Sequence, residues 1–198
     1  MVGDRLPLPA RLRRGRQTLA VGNDIVDLRD PETRSAHPRF ASRVGAPPDD
    51  VWLHFAAKEA AYKALHTLDS RVRPIPRRFV VDPEAGEVRH EGSVLPFVAE
   101  RNEDFVHVVA WVGEPELLSG WGPVQGDPSA DVRRRLCEGV APLLGVEAGE
   151  LQVERAPLPG SWDGLAPPRL LLRERPLPLD ISLSHHGRYV AWAAALPG

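Results

Sequence analysis

The segment from His54 to Leu65, HFAAKEAAYKAL, holds the only two lysines of the chain, Lys58 and Lys63. The sequence contains 25 Lys and Arg residues, so the other 23 (25 − 2) are arginines. Glu59 and Lys63 are four residues apart and share one face of a helix, where a solvated ion pair is the simplest interpretation. Arginine would serve such a pair equally well, whereas contact with a phosphate or exchange of a proton favours a compact ammonium. We therefore interpret Lys63 as a functional residue and Lys58 as a surface residue.

A second candidate is Asp24, which lies in the segment VGNDIVDL near the end of an apolar run. A carboxylate at the end of a strand can hold a hard cation, although a turn-forming aspartate is an alternative. Asp27 is of the same type, but its position three residues later directs it elsewhere along an extended chain.

The segment SLSHH places Ser184, His185 and His186 just before a glycine. Neighbouring residues in an extended segment point in opposite directions, so we expect one histidine to face inward and one outward. The sequence has no other His or Cys at a zinc-ligand spacing, which argues against zinc. A further role that the sequence allows for these histidines is the donation of a hydrogen bond to a phosphate.

These residues require a helix and several strands to position them. The alanine-rich stretch Val51–Leu68 has no Gly or Pro and predicts a helix. A second helix is predicted over 131–146, with Leu136, Val140 and Leu143 or Leu144 on one apolar stripe. Strands are predicted at 18–28, in two or more pieces from Phe79 around a turn at 82–87, at Asp104–Val112, and at both sides of the final His-Gly turn. The segment 37–44, HPRFASRV, is helical at most up to the Pro47-Pro48 pair.

Two of these strands resemble each other. RNEDFVHVVAWV and SHHGRYVAWAAAL both present a polar turn, then an aromatic residue, then a run rich in Val, Ala and Trp. This similarity favours an internal duplication of about 90 residues, and a coincidence between two buried strands is the alternative.

The bulk composition excludes several classes of protein. The formal net charge of −2 gives no strong attraction to nucleic acid or to a membrane surface, and no apolar stretch approaches the ~20 residues that span a bilayer. Cys137 is the single cysteine, so an intramolecular disulfide and a cysteine metal cluster are excluded. Residues 1–16 carry arginines but no apolar signal-peptide core, and we interpret them as a disordered leader. We expect a cytoplasmic protein.

Three segments together resemble the 4'-phosphopantetheinyl transferases. VGNDIVDL is similar to the G-x-D-[IV] strand of this superfamily, FAAKEAAYKAL to its [FW]-x-x-K-E-A-x-x-K-A helix, and ISLSHHGRYVAWA to its S-x-S-H segment. The motif order is that of the small holo-acyl-carrier-protein synthases, but the length is that of the larger two-half enzymes. The resemblance implies an α+β pseudodimer of two similar α/β halves, each with a long helix packed on a small antiparallel sheet. The expected bounds are 17–113 for the first half, 114–130 for a linker and 131–198 for the second half.

The resemblance also implies a reaction. Such an enzyme moves phosphopantetheine from coenzyme A to a serine of an apo acyl or peptidyl carrier protein, with Mg²⁺, and releases 3',5'-ADP. The implied metal ligands are Asp24 and Glu59, and Glu59 could also deprotonate the serine. Lys63 would contact the pyrophosphate and take part in catalysis with His185. Coenzyme A would be held by Lys63, Ser184 and His185, with Arg169 as a stand-in for a basic residue of the family.

Two positions depart from the family pattern. Val26 stands where the larger enzymes carry a second acid, and the family's G-[KR]-P segment is replaced by APPRLL. These departures favour the alternative of a non-catalytic, transferase-like subunit that binds coenzyme A or a carrier protein. A third hypothesis, an anion-binding module that uses the arginine-rich leader, lacks interleaved aromatic residues and an overall basic charge. For the transferase we expect a monomer that acts in fatty acid, polyketide or peptide synthesis.

Overall fold

The computed structural model describes residues 18–34, 39–161 and 164–197, so the predicted leader, 1–16, lies outside the described residues. Within them the helices are α1 (Pro31–Arg34), α2 (Phe40–Val44), α3 (Val51–Leu68) and α4 (Pro128–Leu144). The strands are β1 (Ala20–Asp27), β2 (Val80–Asp82), β3 (Glu87–His90), β4 (Ser93–Arg101), β5 (Phe105–Val112), β6 (Pro115–Pro123), β7 (Leu151–Glu154), β8 (Arg169–Leu172), β9 (Arg175–Pro176), β10 (Asp180–His186) and β11 (Tyr189–Pro197). Single 3-10 turns occur at Pro48–Asp50, Pro76–Arg78 and Ala148–Glu150.

The described chain is an α+β fold built on antiparallel sheets, as predicted. One sheet has five strands in the order β1-β5-β4-β3-β2, a second has the order β10-β11-β6, and a third, small sheet has the order β7-β8-β9. In the five-stranded sheet, β1 precedes the long helix α3 and pairs with β5, which pairs in turn with β4. In the second sheet, β6 precedes the long helix α4 and pairs with β11, which pairs in turn with β10. The strand–helix–strand order is therefore repeated along the chain.

The elements stack in layers because side chains alternate along each strand. On β1, Ala20 and Val26 join the core beneath α3, whereas Val21 and Ile25 point to the opposite face. That opposite face packs against alanines of β11. Successive side chains of β11 point in turn to β1 and to the core beneath α4. The order of layers is α3, five-stranded sheet, second sheet, α4. The strand predicted at Asp104–Val112 is confirmed as β5, and it is buried on both faces along most of its length.

Helix α3 has the predicted bounds and packs very closely on β1. Five of its ten buried residues are alanines, which let the backbone of the helix approach the sheet. At the closest point a Cβ on Gly22 would lie 1.9 Å from the backbone oxygen of Ala60 and 2.7 Å from the backbone nitrogen of Ala64. Only glycine leaves this space free, so the glycine of the GND segment sets the distance between the strand and the helix.

The segment 114–130, predicted to be a linker, contains strand β6, so this part of the prediction is corrected. Its prolines stand at the two ends of the strand, Pro115 and Pro123, and β6 is an edge strand, where a missing N–H donor is tolerated. Its glycines receive large side chains from other elements. A Cβ on Gly120 would lie 2.9 Å from the indole nitrogen of Trp192. The predicted helix over 131–146 is confirmed as α4, which starts three residues earlier at Pro128.

Candidate functional site

Two of the candidate residues, Asp24 and Lys63, contact each other where β1 meets α3, a pairing that was not predicted from the sequence. Lys63 Nζ lies 2.8 Å from Asp24 Oδ1 and 2.8 Å from the backbone oxygen of Asn23, and it donates to both. The side chain of Asp24 is 13% exposed and that of Lys63 is 29% exposed, so the pair is largely withdrawn from water. Because the ammonium of Lys63 also donates to a backbone oxygen, its position is more restricted than that of a lysine in a solvated ion pair on a helix surface.

Glu59 completes this group from one helical turn before Lys63. Burial, followed by the negative charge of Asp24, raises the pKa of Glu59 to about 7, while the charge of Lys63 acts in the opposite direction. Glu59 lies on the same face of α3 as Lys63, which contacts Asp24. A carboxyl group with a pKa near 7 can exchange a proton at physiological pH, as a general base requires.

Ser184, predicted to hold a phosphate, contacts this group instead. Its hydroxyl donates to Asp24 Oδ1 at 3.2 Å and accepts the backbone N–H of Ile25 at 2.9 Å. Ser184 is buried and faces β1. The structure therefore brings Ser184 to Asp24, where it orients the carboxylate.

The Ser184 contact is part of a repeated pattern between β1 and β10. Every second backbone N–H of β1 donates to the side chain of every second residue of β10, and the partners advance in the same direction. The four bonds run from Val21 N to Asp180 Oδ2 (2.8 Å), Asn23 N to Ser182 Oγ (2.9 Å), Ile25 N to Ser184 Oγ (2.9 Å) and Asp27 N to His186 Nδ1 (3.1 Å). This side-chain ladder replaces backbone pairing between the two sheets.

His185 points away from β1, as the alternation along β10 predicts for one of the two histidines. It is exposed and lines a cavity of about 250 Å³ between α3, β10 and the first turns of α4. Lys63 lines the same cavity from the α3 side. The structure thus places Lys63 and His185 on one cavity, with Asp24 and Glu59 beside Lys63.

Basic residues dominate the polar lining of this cavity. Besides Lys63 and His185 it is lined by His66, Arg133 and Arg155, and no Asp or Glu is found among the described residues that form its wall. Such a lining suits an anion. Arg133 and Arg155 were not identified from the sequence. Arg133 belongs to the RRR run of α4, whose charges look like an ordinary solvated helix surface.

Arg169, the predicted stand-in for a basic coenzyme A contact, does not line this cavity. It is exposed at the start of β8, where it lies opposite Glu154 in the register of the antiparallel β7–β8 pair. The neighbouring Pro167 and Pro168 do line the cavity.

Lys58 is buried, so its interpretation as a surface residue is corrected. Its ammonium donates to the backbone oxygens of Val44 at 2.6 Å and Pro76 at 3.1 Å, and the residue is only 4% exposed. It therefore ties the end of α2 and the 3-10 turn at Pro76–Arg78 to α3. Arg is too bulky to enter between two carbonyl groups in this way, which accounts for the second lysine.

Asp27 has a structural role at the end of β1. It forms a two-pronged ion pair with Arg188, at 2.8 Å to each carboxylate oxygen, and accepts the backbone N–H of Arg188. These bonds hold the pKa of Asp27 well below its usual range. The pair fastens the turn between β10 and β11 to the first sheet, close to the candidate site.

The donor set beside Lys63 fits a hard cation only in part. Asp24 and Glu59 offer carboxylate oxygens, the ligands that Mg²⁺ prefers, and Mg²⁺ is commonly held by one or two carboxylates plus substrate phosphates and water. Val26, which stands two residues after Asp24 where a further carboxylate could have joined Asp24 and Glu59, is buried in the core beneath α3. Among the described residues, no group of three or more His, Cys, Asp or Glu side chains could hold a metal ion.

Comparisons of the chain with known protein families, with curated proteins and with solved structures find no match. None of the helices in the described part of the chain has the length and apolar character needed to cross a membrane.

Proposed function

We propose that this chain transfers the 4'-phosphopantetheine group of coenzyme A to a serine of an apo carrier protein. The observation that carries the proposal is the juxtaposition of the Asp24–Glu59–Lys63 group with a basic cavity whose opposite wall holds His185. An acidic pair for a cation and a proton, next to a basic cavity for a pyrophosphate, is the equipment that phosphoryl transfer needs.

In the proposed reaction, the basic residues bind coenzyme A and the two carboxylates handle the proton and the metal ion. Lys63 and His185 bind oxygens of the pyrophosphate from two sides, and Arg133 and Arg155 bind further anionic groups of the nucleotide. The serine oxygen forms a bond to the phosphorus next to pantetheine, and the bond from that phosphorus to the bridging oxygen breaks. The leaving group is 3',5'-ADP, and the serine proton passes to Glu59. Asp24 and Glu59 would hold Mg²⁺, and the bound ion would supply positive charge opposite the phosphate oxygens.

The finer architecture that we propose is a pseudodimer of two related halves. It is supported by the repeated order of elements, with β1, α3, β4 and β5 in the first half and β6, α4, β10 and β11 in the second. A cluster of aromatic rings, Phe105, Trp121 and Tyr189, lies between the two sheets. In this arrangement the candidate site lies where β1 and α3 of one half meet β10 of the other.

A non-catalytic subunit that binds coenzyme A or a carrier protein is the second candidate. It is favoured by the ion pair between Lys63 and Asp24, which occupies one of the two carboxylates, and by Val26 in place of a third acid. In that case the cavity binds its ligand but no group is transferred.

One experiment distinguishes the two candidates. An apo carrier protein is incubated with the full chain, coenzyme A and Mg²⁺, and the mass of the carrier protein is measured. Transfer adds one phosphopantetheine per carrier protein, and the matched variant Glu59→Gln gives no such addition. If no carrier protein tested gains mass while coenzyme A or the carrier protein binds to the chain, the non-catalytic function holds. If neither coenzyme A nor a carrier protein binds, both candidates are wrong.

A further inference from the structure

The opposite side of α3 carries a second basic cleft that the proposed function does not use. It has a volume of about 380 Å³ and lies between α2, α3 and the 3-10 turn at Pro76–Arg78. His54, Lys58 and Arg77 supply its basic groups, and Phe79 and Val81 supply an apolar floor. None of the described residues that line it is an Asp or a Glu.

Lys58 brings a buried positive charge to this cleft. Two of the three N–H donors of its ammonium are used by the backbone oxygens of Val44 and Pro76. These carbonyl dipoles compensate the charge of the buried ammonium only in part. A negatively charged group in the cleft would stabilise the buried ammonium.

His54 gives an independent indication of a ligand. It is 8% exposed, and its Nδ1 is buried and has no hydrogen-bond partner within the described chain. An unpaired buried polar atom is costly, and such atoms call for a specific explanation. The tie between Lys58 and its two carbonyl groups explains the lysine but leaves His54 Nδ1 without a role.

We propose that this cleft, formed by His54, Lys58 and Arg77, binds a small oxyanion of the phosphate or sulfate type. The anion accepts from His54 Nδ1–H, from the remaining donor of Lys58 and from the guanidinium of Arg77. Arg77 is exposed and is held near the cleft by a bond to the backbone oxygen of Ser42 at 3.2 Å. A bound anion would join α2 and the Pro76–Arg78 turn to α3, on the face opposite to Glu59 and Lys63. The proposal is independent of the transferase function.

The test is a titration of the ¹⁵N-labelled full chain with inorganic phosphate at constant ionic strength, followed by NMR. The backbone amide of Gly45 reports on this cleft, because a Cβ at that residue would lie 3.8 Å from Lys58 Nζ. The amide of Ser129 reports on the cavity that Lys63 and His185 line. We expect saturable shifts at Gly45 that persist in the variant Arg133→Gln, which removes a positive charge only from the cavity that Lys63 and His185 line.

Two matched pairs of variants decide the outcome. Arg77→Gln should weaken the phosphate affinity measured at Gly45 by about tenfold or more, since a charged hydrogen bond contributes that much. Arg78→Gln should leave it unchanged, because Arg78 pairs with Glu91 at 3.3 Å and does not line the cleft. His54→Leu should abolish binding and His54→Asn, which keeps a donor near the position of Nδ1, should retain it. No saturable shift at Gly45, or equal affinities of Arg77→Gln and the unaltered chain, would overturn the proposal.

Discussion

At the scale of single residues, the environment of Glu59 decides how the candidate site behaves. The carboxyl group is buried beside Asp24, so its pKa lies near 7 instead of near 4.5. At neutral pH it is therefore available both as a proton acceptor and, when ionised, as a ligand for a cation. Ionisation of the buried Glu59 carboxyl group therefore reduces the stability of the folded state.

Replacement of Glu59 by Gln should abolish transfer without loss of the fold. Gln is as good a helix former as Glu, and it removes both the negative charge and the proton acceptor. We expect the transfer rate to fall by about 10²-fold or more, the usual contribution of a general base. The rate is measured by the mass of the carrier protein, and circular dichroism checks the fold. Activity within a few-fold of the unaltered chain would refute the assignment of Glu59.

Lys63→Arg should be poorly tolerated although it keeps the positive charge. Lys63 fits between the Asn23 carbonyl and Asp24 with bonds of 2.8 Å, and the longer, planar guanidinium cannot occupy that position without displacing Asp24. We expect a loss of transfer in both Lys63→Arg and Lys63→Ala, measured in the same assay. Should both variants turn over at the normal rate, Lys63 would be no more than part of an ion pair.

At the scale of elements, the site depends on the close contact between β1 and α3. Gly22→Ala should destabilise the protein by about 1–3 kcal/mol or more, because its Cβ would overlap the backbone of α3 at Ala60. The free energy of unfolding from urea titration measures the effect. Gly149→Ala is the control, since a Cβ there meets nothing within 4 Å. A loss no greater at Gly22 than at Gly149 would contradict the contact.

The ladder between β1 and β10 should make stability depend on pH. Burial raises the pKa of Asp180 from 3.8 to about 7, although the backbone N–H of Val21 donates to its carboxylate. The folded state therefore holds a proton that the unfolded chain releases. This contribution to stability is complete below about pH 4 and is lost as the pH rises through about 7.

The variant Asp180→Asn separates this contribution from other titrations. Asn still accepts the N–H of Val21 but cannot ionise. We expect the free energy of unfolding at pH 8, relative to pH 5, to be higher in Asp180→Asn than in the unaltered chain. Glu84→Gln, which removes an exposed carboxylate, provides the comparison. An identical pH dependence in Asp180→Asn and the unaltered chain would show that Asp180 does not titrate in this way.

Local patterns predicted these elements well, and long-range contacts less well. An alanine-rich stretch without Gly or Pro gave the exact bounds of α3, and the alternation of SLSHH separated His185 from its neighbours. By contrast, β6 was hidden because its Gly and Pro residues indicate a turn unless the approaching Trp192 is known. The burial of Lys58 and the positions of Arg133 and Arg155 depend on elements far apart in sequence, which a local pattern does not report.

At the scale of the whole molecule, the connection between the two larger sheets determines where a complete site can form. Strand β5 ends at Val112 and β6 begins at Pro115, so only two residues join the sheets. Such a short connection keeps both sheets of one chain together. Asp24 and Ser184 are in contact within a single chain, so we expect the proposed site to form without a second subunit.

This arrangement predicts that two inactive variants cannot rescue each other. Asp24→Asn removes a charge from the β1 side of the site, and His185→Ala removes an imidazole from the β10 side. If each site is built from one chain, every molecule in a mixture of the two variants keeps one defect, and the mixture stays as inactive as either variant alone. Sites built between chains would instead combine an intact β1 side with an intact β10 side, and activity would recover on mixing. Transfer to the carrier protein, measured by mass at several protein concentrations, distinguishes these outcomes, and recovery would rule out the single-chain site.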